Sequence, residues 1–591
     1  MRGGNSLDII NEHIAAKRFA EAKAALVREL AKKPSDDELI GAMSYVLLRL
    51  GEFVKAEYFS RRLTEQNPAD AQARHNLGTL LLQLNKLAEA ERVLRKALEL
   101  NPSQAMSRHA LAGVCMVGHR YATARDQLEQ AHKGAPTDTK ILAALAMAHQ
   151  QCGDVEKAVP LMHAAKAMRP DDIGLCGGLA SMLNYAPGVE AAEIAAEHRR
   201  YGDLMHRVVA APARPRVTEK SGGKLRVGVV SPDFQDHAVM KFFRPIVGHA
   251  DRSRVEFVLY HAGTGIDDVT AWLKSKAVLF RQVAHEPHKV LAAIVAADHL
   301  DVLVDLAGHT HMHRLPVFAF RPAPVQVTYL GYPNSTGLTT MDARFTDSIT
   351  DPVGTEEHCR EQLIRLDPCV HCFTPPAAAP DVSVAPCEQG GSGGGEGGAV
   401  FGCFGALLKH NQGLYELWAR LLKESPRSSL ILKHVGTKQE EIQRSIRDRF
   451  VALGVEGSRI DVRPPSADPY SGYADVDVLL DTFPYHGTTT TCEALWMGVP
   501  VVTLAGNTTA SRVGVSLLSA VGLNELIAKD EGEYVSIAAG LARDPARVGA
   551  YRRALRERMR ASALCDGPGL AKRFVDALFT LHKQIADQAA A

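Results

Sequence analysis

The chain has 591 residues, 46% hydrophobic and 23% charged, with a net charge of +1. That length calls for about three to five domains of ordinary globular composition. A near-neutral chain has no global field to gather nucleic acid or an anionic membrane, and no apolar run approaches the roughly 18 residues of a membrane span. The start, MRGGNSLDIINEHIAAKRF, has no apolar stretch before a small-residue cleavage site, so no signal peptide is expected. Ten dispersed cysteines point to a reducing, cytoplasmic setting rather than a disulfide framework.

A repeat fills the first third. Pro34, Pro68, Pro102, Pro136 and Pro170 stand 34 residues apart, as do Ala22, Ala56, Ala90, Ala124 and Ala158. Ser44, Gly78, Ala112, Ala146 and Ala180 keep the same step. Small residues let paired helices approach, and proline ends the second helix of each pair. The step and the stretch NLGTLLLQLNKLAEAERVLRKALELNP resemble the tetratricopeptide repeat, with about five units expected over residues 1–185. Such a solenoid offers a groove for protein or peptide; stacking or spacing alone is the plainer alternative. Residues 183–205 read as one or two joining helices within a helical connector and linker over 186–223. Its last part, VVAAPARPRVTEKSGGK, has the composition of a linker.

From residue 224 the texture changes. LRVGVVSPDF, VEFVLYHAG, LDVLVDLAGHT and APVQVTYLGYP are short β-branched runs that end in turn residues, with helical segments between them. Alternation of this kind predicts a parallel sheet in an α/β lobe over 224–386. A glycine-rich stretch over 387–399 reads as a flexible loop. A second lobe over 400–591 follows, with strands in AVFGCFGALLK, SSLILKHVG, SRIDVRPP, VDVLLDTFPY and VPVVTLAG. Ligands of such sheets sit beyond the carboxyl ends of the strands. The residues found there are Asp233 and His237, Gly308 and His309, Gly331 to Pro333, Lys409, and the Gly487–Thr491 loop.

Four threonines, 488–491, open an apolar helix-like stretch. A helix start there leaves about four N–H groups free and about half a positive charge, which suits a phosphate. Thr490 and Glu493 also have the spacing of a capping box, in which threonine and glutamate satisfy each other's backbone donors. The pattern alone does not separate the two readings.

The stretches LRVGVVSPDFQDH, RPAPVQVTYLGYPNSTG, MDARFTD, HGTTTTCEALWMGVPVVTLAG and ASRVGVSLL stand in this order after tetratricopeptide repeats. Together they resemble the O-linked N-acetylglucosamine transferases over nearly the whole chain. The resemblance implies an all-α solenoid followed by a GT-B glycosyltransferase of two Rossmann-like lobes, inverting, with UDP in the second lobe. It implies a UDP-sugar as co-substrate, acceptor proteins or peptides in the groove, and neither a cofactor nor a metal. Carried over by position, Thr489 and Thr490 face the diphosphate and Lys409 pairs with the leaving group. Glu493 holds the ribose, and Leu330 and Gly331, with Pro333 beyond them, border the sugar. His237 matches a histidine proposed as general base, and Asp305 and His309 are expected along the first lobe's side of the cleft, with catalytic roles.

The chain also departs from that family. The position of a recurrent groove asparagine in animal members reads Ala42, Asn76, Ala110, Ala144 and Gly178. Thr488 replaces a histidine, and the residue that stacks on uracil is narrowed only to Tyr470 or Tyr473. His309, His311 and His313 on a strand would share a face and could bind zinc; in a loop they line a cleft. Cys369, His371 and Cys372 form a lone CxxC without a second pair, a weak metal signal. Competing readings are another UDP-hexose, an asparagine or glycan acceptor, and an inactive repeat scaffold.

Overall fold

The structure, a computed structural model, describes residues 6–209, 213–217, 223–376, 378–389 and 398–590. Most of the expected glycine-rich loop, 390–397, lies outside the described residues. The chain divides into two compact units, 1–152 and 153–591.

The first unit is helical throughout. Helices Asp37–Arg49 and Phe53–Gln66, Ala71–Gln83 and Leu87–Leu100, and Ala105–Val117 and Tyr121–Gly134 form successive pairs. Helices Ser6–Ala15 and Phe19–Lys32 precede them, and Thr139–Gln151 follows. Each second helix stops two residues before its proline: at Lys32, Gln66, Leu100 and Gly134. Ala22, Ala56, Ala90 and Ala124 are fully buried on those helices. At Gly78 a Cβ would lie 2.5 Å from Leu94 Cγ, so close helix approach sets the small residue there. The period carries one more device. Asp36, Asp70 and Asp138 each cap a first helix by accepting from two backbone N–H groups. Gln104 holds the equivalent place and makes no side-chain cap bond.

The second unit opens with helices Val155–Met168, Ile173–Leu183 and Ala191–Val208. Two parallel sheets follow. The first holds β1 (Leu225–Ser231), β2 (Val255–His261), β3 (Leu279–Gln282), β4 (Val302–Asp305), β5 (Val325–Thr328), β6 (Ala343–Thr346) and β7 (Gln362–Arg365), in the order β3-β2-β1-β4-β5-β6-β7. The second holds β8 (Val400–Cys403), β9 (Ser429–Lys433), β10 (Ile460–Arg463), β11 (Val478–Leu480), β12 (Val501–Leu504) and β13 (Ile527–Ala528), in the order β10-β9-β8-β11-β12-β13. Val227, Val229, Val302, Val304, Val325 and Val327 have no exposed surface, which fits strands covered on both faces. Each sheet reverses its order of growth beside its first strand, between β1 and β4 and between β8 and β11. Crevices open at such switch points, beyond the carboxyl ends of the strands. The expected architecture, helical repeats and then two Rossmann-like lobes, is the one observed.

One element sits elsewhere than the sequence placed it. The last helix, Gly567–Ala590, was assigned to the second lobe with the rest of 400–591, but it packs on the first sheet. Leu570, Phe574, Leu578 and Leu581 join the core of β1, β2, β4 and β5. Its apolar stripe marks a buried face without saying against which sheet. No helix among the described residues is long and apolar enough to cross a membrane.

The capping series yields a prediction. Gln104→Asp restores the missing N-cap and stabilises the repeats by about 1 kcal/mol. The midpoint of urea unfolding, followed by helical circular dichroism, should rise; an unchanged or lowered midpoint would mean that the Gln104 bonds to Gln72 and Ser107 are worth as much as a cap.

Candidate active site

A cavity of about 510 Å³ opens between the two sheets of the second unit. That is room for a nucleotide-sized ligand. Its walls come from segments that follow strands: His237 after β1, Leu330, Gly331 and Pro333 after β5, Phe404 to Lys409 after β8, His434 after β9, and Tyr485 to Thr490 after β11. Eight residues singled out in the sequence therefore meet here: His237, Leu330, Gly331, Pro333, Lys409, Thr488, Thr489 and Thr490.

The threonine block starts the helix Thr489–Trp496, with Thr488 as its N-cap residue. No side chain caps that helix. The capping-box reading therefore fails, because the Glu493 carboxylate turns elsewhere. It pairs with Lys241 and accepts from the Tyr473 hydroxyl at 3.1 Å. Of the four hydroxyls, only that of Thr491 is buried, donating to Gly487 O at 3.1 Å. The first turn thus keeps its free N–H groups, with three hydroxyls beside them, at the cavity wall. Gly487 is required for the approach: a Cβ there would lie 2.6 Å from Thr490 Oγ1. Asp481 fixes the loop by accepting from Gly487 N at 2.7 Å and from Thr503 Oγ1 at 2.7 Å.

Lys409 ends the short turn Leu407–Lys409. Its ammonium donates to His486 O at 2.6 Å and lies 4.6 Å from the centre of the Tyr485 ring. Tyr485 in turn stacks on Tyr185 at 4.4 Å. Asn411 anchors the turn, accepting from Leu414 N and donating to Phe483 O. Burial pushes the Lys409 pKa down to about 8, against the pull of Asp481. The site therefore holds a cation that is costly to keep charged until an anion arrives.

Opposite stands a strained turn. Leu330 has φ +74°, and Gly331 N donates to Tyr329 O at 3.0 Å, which closes a γ-turn. A branched residue in this region costs about 1–3 kcal/mol and persists only where its surroundings impose it. At Gly331 a Cβ would meet Leu306 O at 1.8 Å. His237 is half exposed. Its Nδ1 accepts from Val239 N at 3.3 Å and lies 3.6 Å from Asp233 Oδ1, which leaves Nε2 for a ligand.

Asp305, His309 and Glu493 do not line this cavity, contrary to expectation. Asp305 is wholly buried and accepts from Ala307 N, Gly308 N and Thr328 Oγ1. Burial raises its pKa to about 6, against the pull of those donors. Its task is to shape the turn after β4. His309 is buried among Tyr201, His198, Tyr332 and His313, with its Nε2 bonded to Thr336 O at 2.9 Å. Burial drives its pKa down to about 3, so it stays neutral. Tyr470 and Tyr473 are buried as well, and neither reaches the cavity wall.

The sequence reading missed Tyr185, Phe242, His371, His434, Tyr485 and Val513 on the cavity wall. His434 and Tyr485, each in a segment that follows a strand, were legible by the rule already used; the others follow no local pattern. His371 had been noticed only within its CxxC. Among the described residues, Asp347, Cys369 and His371 form the one group whose donor atoms gather as a metal site would require. Asp347 is already filled: it accepts from Ile349 N, Thr350 N, Val370 N and Ser516 Oγ. A cation there would have to displace those bonds. The structural role of Asp305 is testable. Asp305→Ala leaves three donors unsatisfied and should cost about 3 kcal/mol. Thermal unfolding measures the loss, and ligand affinity in the folded fraction should hold; a fully stable, inactive variant would return Asp305 to the chemistry.

Comparison with known proteins agrees with this geometry. The pattern of glycosyl transferase family 41 matches residues 185–371 and 390–573, and tetratricopeptide repeat patterns match 71–104 and 119–182. A probable UDP-N-acetylglucosamine–peptide N-acetylglucosaminyltransferase of Arabidopsis thaliana, SPINDLY, is 39% identical over 354 residues, 59% of this chain and 38% of that protein. The UDP-N-acetylglucosamine–peptide N-acetylglucosaminyltransferase of Caenorhabditis elegans is 27% identical over 56% of this chain and 38% of its own. The chain thus spans about two fifths of the curated relatives it matches. The solved structure of a mutant O-GlcNAc transferase from Thermobaculum terrenum superposes with a TM-score of 0.81 and 30% identity, over 88% of this chain and 99% of that one. With a lobed cleft built on an uncapped helix start, and with this family's pattern over both lobes, the chain belongs to glycosyl transferase family 41.

Proposed function

We propose that the chain transfers N-acetylglucosamine from UDP-N-acetylglucosamine to serine or threonine hydroxyls of proteins, with inversion at the anomeric carbon. The observation that carries this is the meeting of Lys409 and the uncapped Thr488–Thr490 helix start on one wall of a cavity whose other wall is the Leu330–Gly331 turn. In an inverting transfer the acceptor oxygen attacks the anomeric carbon as its bond to the UDP oxygen breaks. Negative charge grows on the diphosphate. A lysine and a helix start aimed at that charge need no rearrangement as it forms, and one such donor is worth roughly 10²–10³ in rate. These groups carry the charge without a divalent metal.

His237 takes the acceptor proton through Nε2 in the tautomer that carries its hydrogen on Nδ1, turned toward Asp233 Oδ1 at 3.6 Å in place of the Val239 N–H bond. Glu493, now held by Lys241 and Tyr473, receives the ribose hydroxyls. Within the first unit, a cavity lined by His75, His109, Met106, Met116 and Met147 supplies the acceptor surface. Flexible thioethers fit varied apolar side chains, in place of an amide ladder that grips the backbone. Among the described residues the ten cysteines form no disulfide, which suits action in the cytoplasm.

Thermal shift in EDTA with UDP, UDP-N-acetylglucosamine, UDP-glucose and GDP-mannose tests the donor. A ligand at 100 times its Kd adds about 2.7 kcal/mol of stability. UDP species should stabilise the wild type and not Lys409→Ala, whose turnover falls roughly 10²–10³-fold. A response to GDP-mannose alone would replace the donor; no response to any nucleotide would favour an inactive scaffold. UDP affinity should also fall as pH rises through about 8, where the Lys409 ammonium loses its proton. A flat titration from pH 7 to about 9 would remove that charge from binding.

A further inference from the structure

His371 is one of the wall residues that neither the family resemblance nor the proposed mechanism uses. It lies in the segment between the two lobes, and four tethers hold that segment. Tyr329 Oη donates to Val370 O at 2.8 Å, Val370 N donates to Asp347 Oδ2 at 2.9 Å, and Phe373 N donates to Leu564 O at 2.7 Å. The fourth is the contact of Cys369 Sγ with Ser516 Oγ at 3.6 Å. Tyr329 immediately precedes the γ-turn at Leu330, so its hydroxyl fixes His371 beside the turn that borders the sugar in the proposed mechanism. On the other side the imidazole packs edge-on against Phe242, 5.5 Å between ring centres.

The chemistry of this position is unusual for its neighbourhood. Asp347 and Cys369 stand beside the ring, their donor atoms within 4.8 Å of its own, and Val239, Phe242, Leu330, Pro333 and Val513 are apolar residues of the cavity wall. Into it His371 brings a ring whose Nδ1 is sealed from solvent and has no hydrogen-bond partner. The residue is 7% exposed, and that remaining surface belongs to the cavity. A buried imidazole held by backbone tethers on both sides can present only its cavity edge to a ligand. Those tethers fix its place in the wall.

We propose that His371 is a specificity-determining residue that hydrogen-bonds a hydroxyl or amide substituent of the transferred sugar, and that it takes no part in holding the nucleotide. The inference rests on the donor reading above. A polar group built to meet a sugar substituent discriminates against donors that lack it, because it is otherwise left unpaired in an apolar wall.

The test is steady-state transfer by the full chain with the UDP-sugar that the wild type prefers, and with donors deoxygenated or deacylated one position at a time. His371→Leu, similar in bulk and apolar, should keep the UDP affinity and thermal midpoint of the wild type. It should lower kcat/KM for the preferred donor about tenfold, the scale of one neutral hydrogen bond. One modified donor should be insensitive to the substitution, because its partner is already missing. His371→Gln, which keeps a polar atom, should recover part of the loss and also serves if the leucine variant folds poorly. Wild-type kcat/KM in His371→Leu, an equal loss with every donor, or weakened UDP binding would each overturn the inference. Failure of the wild type to bind any UDP species would overturn the donor reading instead.

Discussion

The arrangement of the second unit depends on one unsatisfied electrostatic demand. A helix begins at Thr489 with no side chain across its end, and a lysine stands in the same cavity wall with its charge partly desolvated. Each would be a liability alone: free N–H groups and a buried ammonium both cost stability. Together they form a site that an anion with several acceptor oxygens would stabilise. Glu493 could have closed the helix end and instead turns to Lys241 and Tyr473. That choice keeps the first turn open.

Keeping such a site rigid needs backbone in close quarters. Gly487 passes against Thr490, and Gly331 against Leu306, at distances a Cβ does not tolerate. Leu330 is held at positive φ between Tyr329 and Gly331. The supporting bonds come from groups that never reach the cavity: Asp481 under the threonine loop, Asp305 under the turn after β4, Asn411 under Lys409. Wall and support are thus chemically distinct. Asp305, whose pKa burial raises, serves underneath, where its hydrogen bonds shape the turn.

The repeats, the two lobes and the threonine–lysine wall were legible because each has a local signature: a 34-residue step, β-branched runs ending in turns, a cluster of hydroxyls before a helix. Asp305 and His309 misled for a physical reason. Both follow a strand, as ligand-binding residues do, but Asp305 bends back onto its own loop and His309 packs against Tyr201 of a helix more than a hundred residues away in sequence. The rule of strand ends locates a rim; it cannot tell which rim side chains turn inward. The last helix and His371 were illegible because their places are set by long-range packing. Nothing near Phe574 says which sheet it covers, and nothing near His371 says that Tyr329 will hold its segment.

The two lobes divide the recognition of a donor by the type of contact each can offer. The second lobe presents charge and backbone donors, which suit any nucleoside diphosphate and say little about the sugar beyond it. The first lobe presents the Leu330–Gly331 turn, Phe242 and Pro333, apolar surfaces that discriminate by shape alone and therefore weakly. Selectivity for one hexose over another needs a directional polar group on that side. His237 stands half exposed, where water competes for its Nε2. His371 is buried and tethered, with its small remaining surface in the cavity, so a sugar substituent would meet it with little water to displace. Lys241 completes the picture from the first lobe: it already occupies Glu493, so a ribose bound as proposed would gain that carboxylate only in competition with an ion pair joining the lobes. Nucleotide entry and lobe contact are then linked through a single carboxylate, while the choice of sugar is left to the wall that does not take part in that exchange.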